Sequence, residues 1–520
     1  MSLYRNFINV GALTMGSRFF GFIRDALVAA VLGTGPAADA YLAAFRFPNL
    51  FRRLFAEGAF NTAFIPLFAK ALEHDGPDAA RLWAARIMSW LVAVVLGVTV
   101  FAEIFMPWVL LPFVPGFVDD KAKYDLTVLL TRICFPYLAC MSLMAAYAGI
   151  LNGLNKFAAA AFAPILLNLV MIAFMAPLVI GPPKSPVDTA WWIAVGTLGG
   201  GLAQLWFVYA AIRRAKFVPR LQWPKFDSEV RRFWLLAVPA VLTGGITQIN
   251  IFVGTIIASG AASAISYLYY ADRLYQLPLG IIGIAIGTVL LPELARHVKG
   301  DRTAEAAKAQ EQSLLISMLL SMPAATALIA LAFPIVRVLF QHGAFDAVAT
   351  VETANTLIWF SVGLPAYVLI RVLQPGFFAR EDTVTPTIFA GISAATNIAF
   401  SLLLFPTLQH VGIAIATSIA AWVNALLLGI WLHRRGHLVI SASDWRRHAL
   451  IIVISVAMAL ALYGLSIPLA PFFVAHAPLV LQLIALTVLI GVGLVAYFVG
   501  VHVTGAQPMG MLLRRLRRAG

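Results

Sequence analysis

Apolar runs of about twenty residues or more recur from one end of the chain to the other, separated by short polar stretches. Each run is long enough to cross a hydrocarbon core about 30 Å thick. Within the runs hydrophobicity is continuous rather than alternating. That excludes the strands of a barrel and leaves helices, which pair their backbone amides internally. The pattern predicts fourteen spans, at roughly 8–32, 37–71, 84–113, 127–152, 158–180, 188–212, 232–258, 263–297, 309–333, 351–378, 384–405, 410–434, 447–468 and 478–503. The longest soluble stretch, 213–232, carries Arg213, Arg214, Lys216, Arg220, Lys225, Arg231 and Arg232 against Asp227 and Glu229.

Composition agrees. The 520 residues are 61% hydrophobic and 12% charged, where a soluble domain carries roughly 25% charged residues. The net charge of +14 would suggest nucleic acid in a soluble protein. Here no basic face interleaved with aromatics appears, and the cations collect in alternate loops. The rich set holds Lys70 and Arg81, Lys156, the 213–232 cluster, Arg296, Lys299 and Arg302, Arg380, Arg434, Arg435, Arg446 and Arg447, and the tail. Both termini are therefore expected in the cytoplasm, which requires an even number of helices. The first run contains charges and lacks a small-residue cleavage site, so it reads as a retained helix. Cys134 and Cys140 lie about 120° apart on one helix, which argues against a disulfide. No metal-ligand spacing is present.

An internal repeat is visible. Ile65–Lys70 resembles Leu291–Arg296 at an offset of 226; Gly33 and Gly260 lie 227 apart, and Pro164 and Pro386 lie 222 apart. Six spans separate the equivalents, so the halves share one orientation, as in a parallel repeat about the membrane normal. The expected architecture is all-α integral membrane, with two six-helix lobes, 1–225 and 226–440, then two helices and a basic tail over 441–520. A cavity between such lobes is the usual place for cargo.

Charge at membrane depth is costly and marks function or internal pairing. In the first span Thr14, Ser17, Arg18, Gly21, Arg24 and Asp25 fall within a sector of about 120°. The second adds Asp39, Arg46, Asn49, Arg52, Arg53 and Glu57. As a continuous helix it would gather Asp39, Arg46, Arg53 and Glu57 within about 40°, although Pro48 is expected to bend it. Internal salt bridges, with Arg52 and Arg53 reaching the surface, are the competing reading. Adding 227 places Arg18 opposite Gly245, Arg24 opposite Ile251 and Asp39 opposite Ser266, so the fold alone does not demand these charges. The second lobe contributes Asp272, Arg273 and Arg371. The arginines Arg18, Arg24, Arg52, Arg53, Arg273 and Arg371 outnumber Asp25, Asp39, Glu57 and Asp272. The cavity is thus expected to be cationic and to suit pyrophosphate, which arginine binds through paired donors. No P-loop is present, which disfavours ATP hydrolysis. The histidines read as interfacial.

Ser17–Asp25, Ala38-Asp39-Ala40, Phe47–Phe60, Tyr269–Leu274 and Pro375–Thr383 resemble the MurJ (MviN) lipid II flippases, within the multidrug/oligosaccharidyl-lipid/polysaccharide exporter superfamily. The resemblance covers residues 1–440. It implies two lobes alternating between inward-open and outward-open states, and export of the undecaprenyl-pyrophosphate-linked peptidoglycan precursor across the bacterial inner membrane. It also implies functional roles for Arg18, Arg24, Arg52 and Arg273, with Asp25, Asp39, Asn49 and Glu57 as polar partners. A groove toward the last two helices would hold the lipid tail. Lipid II and membrane lipids are the expected partners, with cell-wall assembly proteins as further candidates, and nucleic acid is not. Some members use sodium in the second lobe; Asp382 and Asn250 are candidates here, but Phe378 stands where an oxygen ligand would be useful, so sodium is not carried over. No cofactor is expected, and the membrane potential is the expected drive. The rival readings are a drug/cation antiporter, which would need an acidic aromatic cavity, a membrane enzyme, which would need a deep catalytic base or metal motif, and a non-transporting scaffold for wall assembly.

Overall fold

The computed structural model describes residues 2–52, 61–182, 184–474 and 477–506. Among these no strand occurs. All fourteen expected spans have helical counterparts. α1 runs Ser2–Leu32, α2 Pro36–Arg52, α3 Asn61–His74, α4 Gly76–Leu110, α5 Lys121–Cys134, α6 Tyr137–Gly153, α7 Ala158–Ile180 and α8 Pro186–Arg214. α9 follows at Ser228–Ala258, then α10 Ala264–Lys299, α11 Thr303–Ala330, α12 Ala332–Phe340, α13 Ala347–Phe378, α14 Val384–Arg434, α15 Ala442–Ser466 and α16 Leu479–Val503.

Three differences have local causes. The expected 127–152 span is two helices, because Pro136 cannot donate to the carbonyl of Arg132 and the chain breaks between α5 and α6. The 309–333 span is broken at Leu331 and continues as the short α12. The expected 384–405 and 410–434 spans are two helices, 384–408 and 410–434 within the range labelled α14, but no loop separates them: the chain turns at Gln409 alone, whose φ of 47° and ψ of −128° are not helical. The join between α2 and α3 falls at residues 53–60, outside the described residues. So do two candidate site residues, Arg53 and Glu57, and the basic tail.

Among the described residues nine helical segments are long and apolar enough to cross a membrane, counting α5 with α6 as one and the kinked α14 as one. Their lipid-facing surfaces carry large exposed apolar side chains such as Phe101, Ile104, Trp108, Leu402, Leu403 and Val495. In water such a surface would aggregate; in lipid it needs no cover. The chain is an all-α integral membrane protein.

The fold divides into two compact units. One comprises residues 1–266 with 342–345, the other 267–341 with 346–520. In the first, α7 packs on α8 and on α1, and α2 packs on α5. In the second, α13 packs on α14 and α11, and a buried cluster including Leu290, Leu314, Leu373, Phe377 and Leu428 ties α10, α11, α13 and α14 together.

Candidate functional site

The polar stripe of α1 is held in place by one residue of α7. Asn168, buried in an otherwise apolar helix, donates through Nδ2 to the backbone carbonyl of Ser17 at 3.0 Å. Its Oδ1 accepts from the Arg24 guanidinium at 2.9 Å. Arg24 turns its remaining donors onto Asp25 Oδ1, at 3.0 Å from Nε and 2.7 Å from Nη2. The Arg24 side chain is 11% exposed and that of Asp25 4%. Arg24 and Asp25 therefore form a charge-neutral cluster, locked from three sides. Arg18, half-buried six residues earlier on α1, makes no hydrogen bond or ion pair with another described residue. Among the described side chains of α1 it is the guanidinium whose donors remain open to an anion.

On α2 the expected partners separate into two groups. Toward the C-terminal end, Arg52 Nε donates to Asn49 Oδ1 at 3.0 Å, while Asn49 Nδ2 donates to the Phe45 carbonyl at 3.1 Å. Nearby, Arg46 donates to Thr255 Oγ1 of α9 at 3.0 Å. Asp39 lies at the opposite end and differs from the expectation of a cavity-lining carboxylate. It is fully buried. Its Oδ2 accepts from Lys123 Nζ of α5 at 2.9 Å, and its Oδ1 accepts from both the backbone N–H and the hydroxyl of Ser266, at 3.0 and 2.6 Å. The Lys123 ammonium also sits 3.8 Å from the centre of the Phe117 ring. A carboxylate with three donors and an ammonium with a carboxylate and a π-face form a satisfied buried pair.

Around this pair, backbone meets backbone. Ala344 N–H donates to the Ala30 carbonyl at 2.7 Å. A Cβ on Gly343 (φ +57°) would lie 2.3 Å from that same oxygen, and one on Gly33 (φ +65°) would lie 2.3 Å from the Ala344 oxygen. Gly116 approaches Ser259 and Gly260 just as closely and donates its N–H to Ser259 Oγ at 3.1 Å. Gly116 and Gly343 stand 227 residues apart, the spacing of the sequence repeat.

In the second unit, Asp272 of α10 accepts from Gln276, and the Arg273 guanidinium lies 4.6 Å from the Tyr269 ring centre. Arg371 of α13 is exposed and packs over Gly283, where a Cβ would come within 2.6 Å of its Cδ. Asp272 and Arg371 both act electrostatically on Tyr275, so α10 and α13 bring these two charges into one neighbourhood. Arg371 makes no hydrogen bond or ion pair with another described residue.

A profile of the family described as lipid II flippase MurJ matches residues 28–483. The chain belongs to that family. A Rhizobium tropici protein named "Probable lipid II flippase MurJ" is 48% identical over 523 aligned positions, covering 100% of this chain and 97% of that protein. A solved structure titled "Lipid II flippase MurJ, inward closed conformation" superposes with a TM-score of 0.79 at 25% identity, covering 96% of this chain and 98% of the other. A multidrug-resistance MATE transporter, titled as of the MOP superfamily and in an inward-facing conformation, matches at TM-score 0.67 and 16% identity over 82% of this chain and 97% of its own, which shows the shared fold. As a MurJ-family member the chain is a transporter and not an enzyme.

Two polar residues of this MurJ-family site escaped the sequence reading. Lys123 falls in a stretch read as a loop, yet the structure buries it. Asn168 is a lone amide in an apolar run, and that isolation was the available signal. His410, beside the Gln409 turn at the end of a span, is buried, with Nε2 3.2 Å from Glu352.

Proposed function

We propose that this transporter exports lipid II, the undecaprenyl-pyrophosphate-linked peptidoglycan precursor, from the cytoplasmic to the outer face of a bacterial inner membrane by alternating access. The observation that carries this reading is the similarity along the whole chain to a protein named for that activity. Arg18 supports the chemistry: a planar fork with free donors, half-buried on α1, matches a diphosphate. Arg24 acts with Asp25 and Asn168 to fix the stripe rather than as a loose cation. Arg52, Arg273 and Arg371 are the further guanidinium groups assigned to the cationic cavity.

In this mechanism the pyrophosphate gathers at the arginines in the inward-open state, and its charge neutralises them. Outward opening then separates the Asp39–Lys123–Ser266 cluster and the glycine contacts beside it. The headgroup leaves while the tail stays in lipid. An inside-negative potential assists both strokes: moving one charge through 100 mV is worth about 2.3 kcal/mol, so two phosphate charges gain about 4–5 kcal/mol if they cross the whole field. The empty cationic cavity is drawn back inward. The Lys- and Arg-rich loops support cytoplasmic termini.

The test uses the purified full chain in vesicles loaded with labelled lipid II, with outer-face exposure read over time. Wild type should translocate, Arg18→Ala should not, and Arg18→Lys should retain part of the rate, because the charge survives but the fork is lost. Exposure no faster than in protein-free vesicles would overturn transport and favour a scaffold. Equal rates for all three proteins would overturn the arginine assignment alone.

A further inference from the structure

The helices that carry the α1 stripe build a separate feature at their Lys- and Arg-rich end. Leu13 of α1, Phe162 of α7, and Phe207 and Ala211 of α8 line an open groove of about 470 Å³. The Phe162 and Phe207 rings lie 5.2 Å apart and form its apolar wall. At its mouth stand Lys156 and Arg214, the two charged lining residues, both exposed. Neither makes an ion pair or side-chain hydrogen bond with a described residue. Arg214 lies in the last turn of α8, where the helix dipole favours a cation. Lys156 stands in the turn between the C-terminus of α6, where its N–H donates to the Leu151 carbonyl at 2.8 Å, and the start of α7, so its side chain reaches the same groove from the other side.

Two unpaired cations over an aromatic, apolar slot, on helices whose sides face lipid, select an amphiphile with one anionic head. We propose that this groove holds an anionic phospholipid of the cytoplasmic leaflet, its phosphodiester between Lys156 and Arg214 and the first methylenes of one acyl chain against Phe162 and Phe207. The ligand is a membrane component and not the cargo: the site lies outside the arginines assigned to pyrophosphate. The proposal rests on the positive-inside orientation, not on the flippase reading. Basic sites at the cytoplasmic ends of spans suit anionic lipids, and free phosphate shares the head chemistry but not the chain.

The experiment is lipid titration of the purified full chain, read as bound lipid by native mass spectrometry, with phosphatidylglycerol and phosphatidylcholine as probes. Wild type should prefer phosphatidylglycerol. The double variant Lys156→Gln/Arg214→Gln should lose roughly 30-fold in phosphatidylglycerol affinity, about fivefold per cation, and bind the two lipids alike. The charge-conserving Lys156→Arg/Arg214→Lys should keep the preference. Ala211→Trp, which fills the slot without touching a charge, should weaken both lipids. Millimolar inorganic phosphate or glycerol 3-phosphate should not displace the lipid. Displacement by either would overturn the assignment to lipid in favour of a phosphate site. Unchanged phosphatidylglycerol affinity in the double-charge variant, or in Ala211→Trp, would overturn the groove itself.

Discussion

Replacing Asp39 by Asn tests the buried pair at its most sensitive point. The amide keeps an oxygen for the Ser266 N–H and hydroxyl, so those two bonds survive. What it removes is the negative charge 2.9 Å from Lys123 Nζ, putting an N–H₂ group in its place, a donor facing a donor. At an effective dielectric of 20 the lost Coulomb attraction is about 6 kcal/mol. Part of it is recovered because the carboxylate need no longer be desolvated, and Phe117 still faces the ammonium. Breaking a buried pair from one side costs about 3–5 kcal/mol. At about 2 cal/mol/K of unfolding entropy per residue, a loss of 3 kcal/mol lowers Tm by about 3 °C if all 520 residues unfold together. Cys134 and Cys140 are buried and free, so a thiol-reactive fluorogenic dye reports the transition without added labels. Asp39→Asn should melt about 3 °C lower. Lys123→Met should cost less, since Asp39 keeps both Ser266 bonds, and the double variant should recover most of the Asp39→Asn loss. A double variant no more stable than Asp39→Asn, or an Asp39→Asn midpoint equal to wild type, would refute the account of a charge-paired cluster.

Other changes probe other links. Asn168→Leu keeps the bulk but takes a hydrogen bond from Arg24 and one from the Ser17 carbonyl; it should destabilise by about 1–3 kcal/mol in the same melt, and an unchanged midpoint would mean that α1 does not depend on this clamp. Gln409 holds a backbone conformation that costs an L-residue about 1–3 kcal/mol, so Gln409→Gly should raise the midpoint while Gln409→Ala should not. In the 379–383 loop, the Thr385 backbone N–H, with Arg435, holds the Asp382 carboxyl at about 2, below its ordinary 3.8. A depressed carboxylate contributes stability above the unfolded value, and that contribution is lost as pH falls from 3.8 toward 2. Wild type should therefore lose more Tm across that window than Asp382→Asn, and parallel curves would discount the contact.

The all-α membrane architecture was legible because lipid demands long apolar helices, a signal that survives local detail. Boundaries shifted where a single residue decides: Pro136 divides one expected span, and Gln409 alone makes the turn between two expected spans where a loop was drawn. The intramembrane charges were legible as residues but not as partnerships. Arg24 and Asp25 are adjacent, yet the bond that completes their cluster reaches Asn168, 144 residues away. Asp39 was grouped with Arg46 by helical period, while its true partners, Lys123 and Ser266, lie 84 and 227 residues away. Periodicity reports which face a side chain shares, and only tertiary packing reports what stands opposite that face.

The contacts of Gly33, Gly116 and Gly343 have a mechanical meaning. Where side chains interdigitate, parting two surfaces tears apolar area open; where bare backbone rests on bare backbone, almost none is exposed. Undoing Ala344 N–H from the Ala30 carbonyl forfeits about 1 kcal/mol once water replaces the lost partner. A clasp made this way can come apart and close again many times at small energetic cost, and a single methyl group on any of its three glycines would leave it ajar.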